Sequence, residues 1–304
     1  MTDNRTKVDA VLNTLNQIII GKPHELKLIF SCFLADGHVL LEDLPGTGKT
    51  LLAQALSHVT GLEMKRVQGT NDLLPSDLIG TQVFSKQDET FRFIEGPVFT
   101  SLLLMDEINR MPPKSQSALL EAMEERRVTV GGEHRRLPVP FWVVATQNPY
   151  GQLGTFELPE AQLDRFLMSL SLGYPDRQSE AAILLGENKR DLLHKIAPVM
   201  SVDELMALRS AVAQVNLSEN LVEYVLDLLQ QTRFTDGFES GLSTRAAQSL
   251  LRAAQAWALI RGDNKVLPAD IQEVFIPVAA HRLSGERHAV IAKLQAILDQ
   301  VGVA

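Results

Sequence analysis

Asp43-Leu44-Pro45-Gly46-Thr47-Gly48-Lys49-Thr50 is the stretch on which the reading of this 304-residue chain turns. It follows the short apolar run Val39-Leu40-Leu41 and precedes Leu51-Leu52-Ala53-Gln54-Ala55-Leu56, which has helical spacing and no breaker. A loop between a strand and a helix points backbone N–H groups and a helix N-terminus at phosphate oxygens. Gly-Lys-Thr at its end then offers Lys49 to the β- and γ-phosphates and Thr50 to magnesium. The candidate nucleotide-binding set is therefore Asp43, Leu44, Pro45, Gly46, Thr47, Gly48, Lys49, Thr50 and Leu51. The usual pattern opens on glycine and this loop opens on Asp43, a departure. Gly-Lys-Thr alone is a common accident, a turn before a helix with an exposed lysine, so a second site has to decide.

That site is Ser101-Leu102-Leu103-Leu104-Met105 followed by Asp106-Glu107. An unbroken apolar run of this length fits a parallel strand buried on both faces. Ligands of open α/β sheets bind at the carboxyl ends of the strands, which places Asp106 for magnesium and Glu107 for polarising the attacking water. By itself the pair reads sooner as an acidic strand exit capping the next helix, and the Gly-Lys-Thr loop upstream turns the balance to the functional reading. Phe141-Trp142-Val143-Val144-Ala145 is a third run of the same kind and exits through Thr146-Gln147-Asn148-Pro149. Asn148 can hold the lytic water or the γ-phosphate from the neighbouring strand, or it is an ordinary turn Asn before proline.

Beyond Tyr174-Pro175 the pattern changes. Leu221, Val222, Val225, Leu226, Leu228 and Leu229, then Ala246, Ala247, Leu250, Leu251, Ala254 and Trp257, recur at helical spacing, and strand-like runs stop. The expected fold class is α/β, a parallel sheet flanked by helices over 1–174, followed by a small all-helical domain over 175–304. Ser243 or Thr244 is a natural N-cap, which puts Arg245 in a first turn where the helix dipole disfavours a cation by about a few tenths of a kcal/mol. Pro159 and Glu160 suit another first turn, with Arg165 near that helix's end. Val128-Thr129-Val130 and Arg135-Arg136-Leu137 flank Gly131-Gly132, a hairpin signal. The net charge of −8 argues against broad capture of nucleic acid. The one cysteine, Cys32, lies in an apolar run and suits core packing in a reducing compartment. With no run long enough to span a bilayer and no signal-peptide pattern, a soluble, cytoplasmic chain without a membrane span is expected.

Four ordered motifs resemble the MoxR branch of the AAA+ ATPases, within the group that carries a helix-two insertion. They are Leu41 to Thr50, Leu104-Met105-Asp106-Glu107-Ile108-Asn109-Arg110, Ala145-Thr146-Gln147-Asn148-Pro149, and Leu158-Pro159-Glu160-Ala161-Gln162-Leu163-Asp164-Arg165-Phe166. The resemblance covers nearly the whole chain. It implies a Walker A pair at Lys49 and Thr50, a Walker B pair at Asp106 and Glu107, and sensor one at Asn148. It implies an arginine finger at Arg165, reaching the nucleotide of the next subunit, and sensor two at Arg245. The insertion falls near 77–95, the pre-sensor hairpin near 127–138, and the helical domain becomes the lid. The implied activity is hydrolysis of ATP with Mg2+ by a homo-oligomer, a hexameric ring, in chaperone-like remodelling or maturation of protein partners. One such partner is a protein with a von Willebrand factor A domain. Two alternatives remain at this point: a nucleotide-gated scaffold with little turnover, and a DNA-remodelling relative.

Overall fold

The computed structural model describes residues 2–302 apart from 45, 88, 149–153, 187–192 and 194–195. The first part runs α1 (Thr2–Ile18), α2 (Pro23–Leu34), β1 (Val39–Glu42), α3 (Lys49–Thr60), β2 (Met64–Gln68), α4 (Pro75–Ile79), β3 (Gly80–Ser85), β4 (Thr90–Glu95) and β5 (Leu102–Asp106). It continues through α5 (Pro113–Glu125), β6 (Arg127–Val130), β7 (Glu133–Arg136), β8 (Trp142–Gln147), α6 (Glu160–Leu163) and β9 (Met168–Leu170). Five strands form one sheet in the order β2-β5-β8-β1-β9, with every pairing parallel. Two separate antiparallel hairpins, β3–β4 and β6–β7, stand outside it. Gly131 and Gly132 turn the second with φ of 63° and 83°, a conformation that glycine adopts without steric cost.

The unbroken apolar runs are explained by cover on both faces of the sheet. Leu102 and Leu104, with Trp142, Val144, Val39 and Leu41, face α1, α2 and α3. Leu103 and Met105, with Val143, Ala145 and Leu40, face Leu119, Leu120 and Met123 of α5. Side chains alternate along a strand, so an interior strand between two helical layers has no polar face to show.

Among the described residues the later part is mainly helical: α7 (Arg177–Leu185), α8 (Val202–Val212), α9 (Glu219–Phe234), α10 (Thr244–Arg261), α11 (Pro268–Ala279) and α12 (Arg287–Gln300). Several of their starts carry side-chain caps, the expected one at Ser243 among them. Ser201 forms a capping box with Glu204, and Ser218 and Ser243 accept from Leu221 N and Ala246 N. Helix α10 buries Ala246, Ala247, Ala253 and Ala254 along one face, and these small residues let it lie against α2 and α11. Helix α2 is apolar nearly all round because it is sandwiched between the sheet and α10. The larger apolar cluster consequently passes from the sheet through α2 into α10 and α11 and crosses position 174 without interruption.

Two histidines are locked in this interior without charge. The Val143 N–H donates to His38 Nδ1 at 2.9 Å, so that nitrogen holds a lone pair and not a proton. His281 Nε2 lies 2.9 Å from the Phe166 carbonyl. Burial first, then Arg126 beside His38 and Arg282 beside His281, holds both well below the ordinary value of 6.5. The unfolded chain protonates these rings below about pH 6.5 and the folded chain does not, so stability is complete above that pH and falls as pH drops toward the depressed folded values. Urea unfolding at about pH 5.5 should show about 2 to 3 kcal/mol less stability than at pH 7, an effect removed for one ring by His38→Gln.

Candidate nucleotide site

The strand–loop–helix unit places the candidate loop at the carboxyl end of β1. Gly46 and Gly48 have φ of 90° and 88°, and a Cβ on either would meet open space. The strain of that conformation, not crowding, is what calls for glycine. Gly48 caps α3 with no side-chain hydrogen bond, which leaves the first N–H groups of the helix directed into the loop. Lys49 folds back onto the loop, its Nζ donating to the Leu44 carbonyl at 2.8 Å and the Asp43 carbonyl at 3.1 Å. Burial lowers the Lys49 pKa, and Asp43, Asp106 and Glu107 pull it back up. Thr50 follows in the first turn and Leu51 packs against the larger core cluster. Pro45 lies outside the described residues.

The Asp43 carboxylate does not point at the loop. It is buried and accepts from Ser171 Oγ at 2.7 Å, Leu172 N at 2.6 Å and Gly173 N at 2.9 Å. Glu42, one residue earlier, binds Ser169 and Arg287 of α12. Two successive carboxylates thus tie the base of the loop to β9, to the segment after it, and to the helical domain. The departure from glycine at position 43 has a structural meaning, since glycine would leave the buried Leu172 N–H and two half-buried donors without this acceptor.

Strands β1 and β8, and β8 and β5, are paired in parallel, which brings the three exits to one edge. Asp106 is 5% exposed at the end of β5 and Asn148 is 7% exposed just beyond β8. Glu107 has φ of 56°, and Asn148 Nδ2 donates to its Oε1 at 3.4 Å. Lys49, Thr50, Asp106, Glu107 and Asn148 therefore share one edge of the sheet.

Arg165 and Arg245 are not at that edge. Strand β9 begins at Met168, paired with Val39 at the start of β1, and Leu167 N donates to the His38 carbonyl at 2.9 Å. Arg165 accordingly lies at the amino end of the sheet, opposite the loop. Its Nη1 donates to the Leu120 carbonyl at 3.0 Å and sits 3.5 Å from Glu124. Arg245, from the first turn of α10, meets the same Glu124 at 2.6 Å and Asp164 at 3.3 Å. Arg245, implied by the resemblance as sensor two, therefore lies away from the phosphate-binding loop of its own chain, because the first turn of α10 meets Glu124 and Asp164.

The profile of the ATPase family associated with various cellular activities (AAA) matches residues 38–168, and that of the AAA lid domain matches 230–301. Chaperone MoxR1 of Mycobacterium tuberculosis is 39% identical over 285 residues, 91% of this chain and 75% of its own. The chain belongs to the MoxR family of AAA+ ATPases. Protein MoxR of Paracoccus denitrificans is 34% identical, covering 88% of this chain and 86% of its own. YeaC of Bacillus subtilis is 41% identical, covering 93% and 88%. A solved structure from Cytophaga hutchinsonii, provisionally named an ATPase, superposes with a TM-score of 0.88 at 36% identity and covers 100% of this chain and 96% of that one.

In this MoxR-family chain the acidic pair has partners that the sequence alone did not reveal. Arg66 of β2 donates from Nε to Asp106 Oδ2 at 2.6 Å, and Arg110 pairs with Glu107 at 3.0 Å. Thr146 joins the two acids, accepting from Glu107 N at 2.9 Å and donating to Asp106 Oδ1 at 3.3 Å. Gly69 N donates to the Asp106 carbonyl at 2.7 Å, and a Cβ on Gly69 would come within 2.2 Å of the Glu107 carbonyl oxygen. The residues fit a nucleotide with magnesium: uncapped helix N–H groups over an open glycine loop, a lysine, and a carboxylate at the strand exit. Arg110 stands three residues after Glu107, a spacing visible in the sequence, whereas Arg66 is a diagonal neighbour of Asp106 only through the β2–β5 register.

Proposed function

We propose that this protein hydrolyses ATP with magnesium at interfaces between its own copies, in a hexameric ring, and uses lid movement to remodel a protein partner. The observation that carries the reading is the separation of parts. Lys49, Asp106 and Glu107 occupy one edge of the sheet, while Arg165 and Arg245 lie together at the other, 31% and 53% exposed. Arg165 also borders an open cleft of about 560 Å³ between α5 and the β6–β7 hairpin. An arginine on this edge serves a triphosphate only when the triphosphate belongs to a neighbouring copy.

Within that site Lys49 and the α3 amides hold the β- and γ-phosphates, and Thr50 and Asp106 hold magnesium, which neutralises phosphate charge when bound. For Asp106 to do so, Arg66 leaves its carboxylate. Glu107 orients the attacking water and takes its proton as the terminal P–O bond breaks, with Asn148 fixing the carboxylate. Arg165 and Arg245 offset charge on the neighbour's γ-phosphate. The chaperone role follows from the name carried by the Mycobacterium tuberculosis relative, and a von Willebrand factor A domain protein is the adaptor the family resemblance suggests.

A second reading, a nucleotide-gated scaffold with little turnover, has one observation in its favour: both acids of the site are already engaged by arginines. ATP turnover per subunit, measured across protein concentration with mass followed alongside, separates the two. Turnover that rises with assembly supports the interfacial enzyme. Turnover that stays flat means a self-contained site in each monomer and overturns the ring.

Among the described residues no helix is long and apolar enough to cross a membrane.

A further inference from the structure

Glu124 sits in the last full turn of α5 and spends one oxygen on two cations. Its Oε2 accepts from Arg245 Nη2 at 2.6 Å and lies 3.5 Å from Arg165 Nη1. Arg165 belongs to the core and Arg245 to the helical domain, 80 residues later in the chain and joined to it here through a side chain. Beside them Asp164 takes Arg245 Nε at 3.3 Å on one oxygen and the buried Arg282 at 2.7 Å on the other. Three guanidiniums share two carboxylates, so the cluster carries excess positive charge on a chain whose net charge is −8. Arg165 Nε is buried with no hydrogen-bond partner, which marks a side chain whose placement its own protomer does not fully satisfy. The hydrogen bond to Glu124 raises the Arg245 pKa, as expected for a guanidinium held by a carboxylate.

We propose that Glu124 is a positioning residue: its carboxylate yokes Arg165 of the core to Arg245 of the lid, so that both guanidiniums reach the neighbouring copy's nucleotide as a pair. The inference rests on the interfacial reading above. A carboxylate is needed because two guanidiniums drawn to one oxygen repel each other unless an anion lies between them. Glutamine keeps the shape of Glu124 and removes that anion. Arg245, half exposed on a long side chain, then keeps only its longer contact with Asp164, and Arg165 loses one of its two anchors. The one carboxylate that touches both guanidiniums is gone, so that they no longer reach the interface as a fixed pair.

The test is the kinetics of Glu124→Gln at protein concentrations above assembly. It should lower kcat by about tenfold and leave KM for ATP within about twofold, because the arginines act on the transition state and not on ground-state binding. In an Arg165→Ala background the same substitution should change kcat by less than about twofold, since two residues acting as one unit do not add. Glu124→Asp, which keeps the charge, should retain most of the turnover. As a readout independent of activity, amide exchange in the first turn of α10 should speed up in Glu124→Gln and not in Glu124→Asp. An unchanged kcat in Glu124→Gln, or the same loss repeated in the Arg165→Ala background, overturns the proposal. If Arg165→Ala alone leaves turnover intact, the interfacial reading falls and takes this inference with it. If Arg165→Ala abolishes turnover while Glu124→Gln does not alter it, only the role of Glu124 falls.

Discussion

Glu107→Gln is expected to lower ATP turnover by about 10²- to 10³-fold while the protein keeps its affinity for ATP. The two halves of that result come from different elements. Binding belongs to the loop after β1, where Lys49 and the uncapped start of α3 meet the phosphates, and no atom of Glu107 takes part. Turnover depends on a carboxylate placed to direct a water, and Glu107 is placed with unusual firmness. Its backbone is left-handed at φ 56° and ψ 52°, its N–H is fixed on Thr146, and its two oxygens meet Asn148 and Arg110. Glutamine has the same length and keeps an oxygen for Asn148, so the fold around it should survive. What it lacks is basicity and the charge that pairs with Arg110. Equilibrium binding of a fluorescent ATP analogue, set beside phosphate release, gives both quantities from one preparation. Retained binding with lost turnover assigns the chemistry to Glu107; retained turnover would move the protein to the scaffold reading and leave Glu107 a helix-entry acid.

The neighbours of Glu107 show how far the sequence could be read. Strands β1, β5 and β8 were legible because both of their faces are covered, which writes the strand as an uninterrupted apolar run. Their exits were legible for the same reason, since the first polar residue after such a run marks the sheet edge. Arg66 on Asp106 was not, because it needs the register Arg66↔Leu104 and Gln68↔Asp106 before the side chains become diagonal neighbours. Asp43 looked like a variation within the loop and is instead a buried acceptor for residues 171–173, a contact across 128 or more positions of sequence. The pairing of Arg165 with Arg245 is the extreme case. Each has its own local explanation, Arg165 just past the end of α6 and Arg245 in the first turn of α10, and only the approach of that turn to the C-terminal end of α5 places both on Glu124. Local pattern reports what a residue's own element demands; the contacts that join core to lid are set by the packing of α2 between them.

That separation of the two edges makes a demanding prediction for mixtures of inactive chains. Arg165→Ala keeps a complete loop and a complete Glu107 but offers its neighbour no finger, and its turnover should fall by about 10³-fold or more, the scale seen when an arginine acting on a transferred phosphoryl group is removed. Glu107→Gln has the opposite defect, a dead site of its own and an intact Arg165 for the next subunit. In a head-to-tail ring assembled from equal amounts of the two, a site works when the subunit holding the nucleotide has Glu107 and the neighbour facing it has Arg165. Random assembly meets both conditions in about one quarter of the interfaces, so mixing two nearly inactive preparations should restore about a quarter of the parent rate, less whatever cooperation around the ring requires. Chains whose sites are self-contained cannot show this gain, because every chain in the mixture carries a defect within itself. The order of addition adds a control: rings formed separately before mixing should recover activity only as fast as subunits exchange, and conditions that dissociate and reassemble them should recover it at once. A mixture that never exceeds the sum of its parts after reassembly would place Arg165 in its own chain's chemistry or outside chemistry altogether, and the distance from Arg165 to its own loop, the full height of β1, leaves the second as the only consistent outcome.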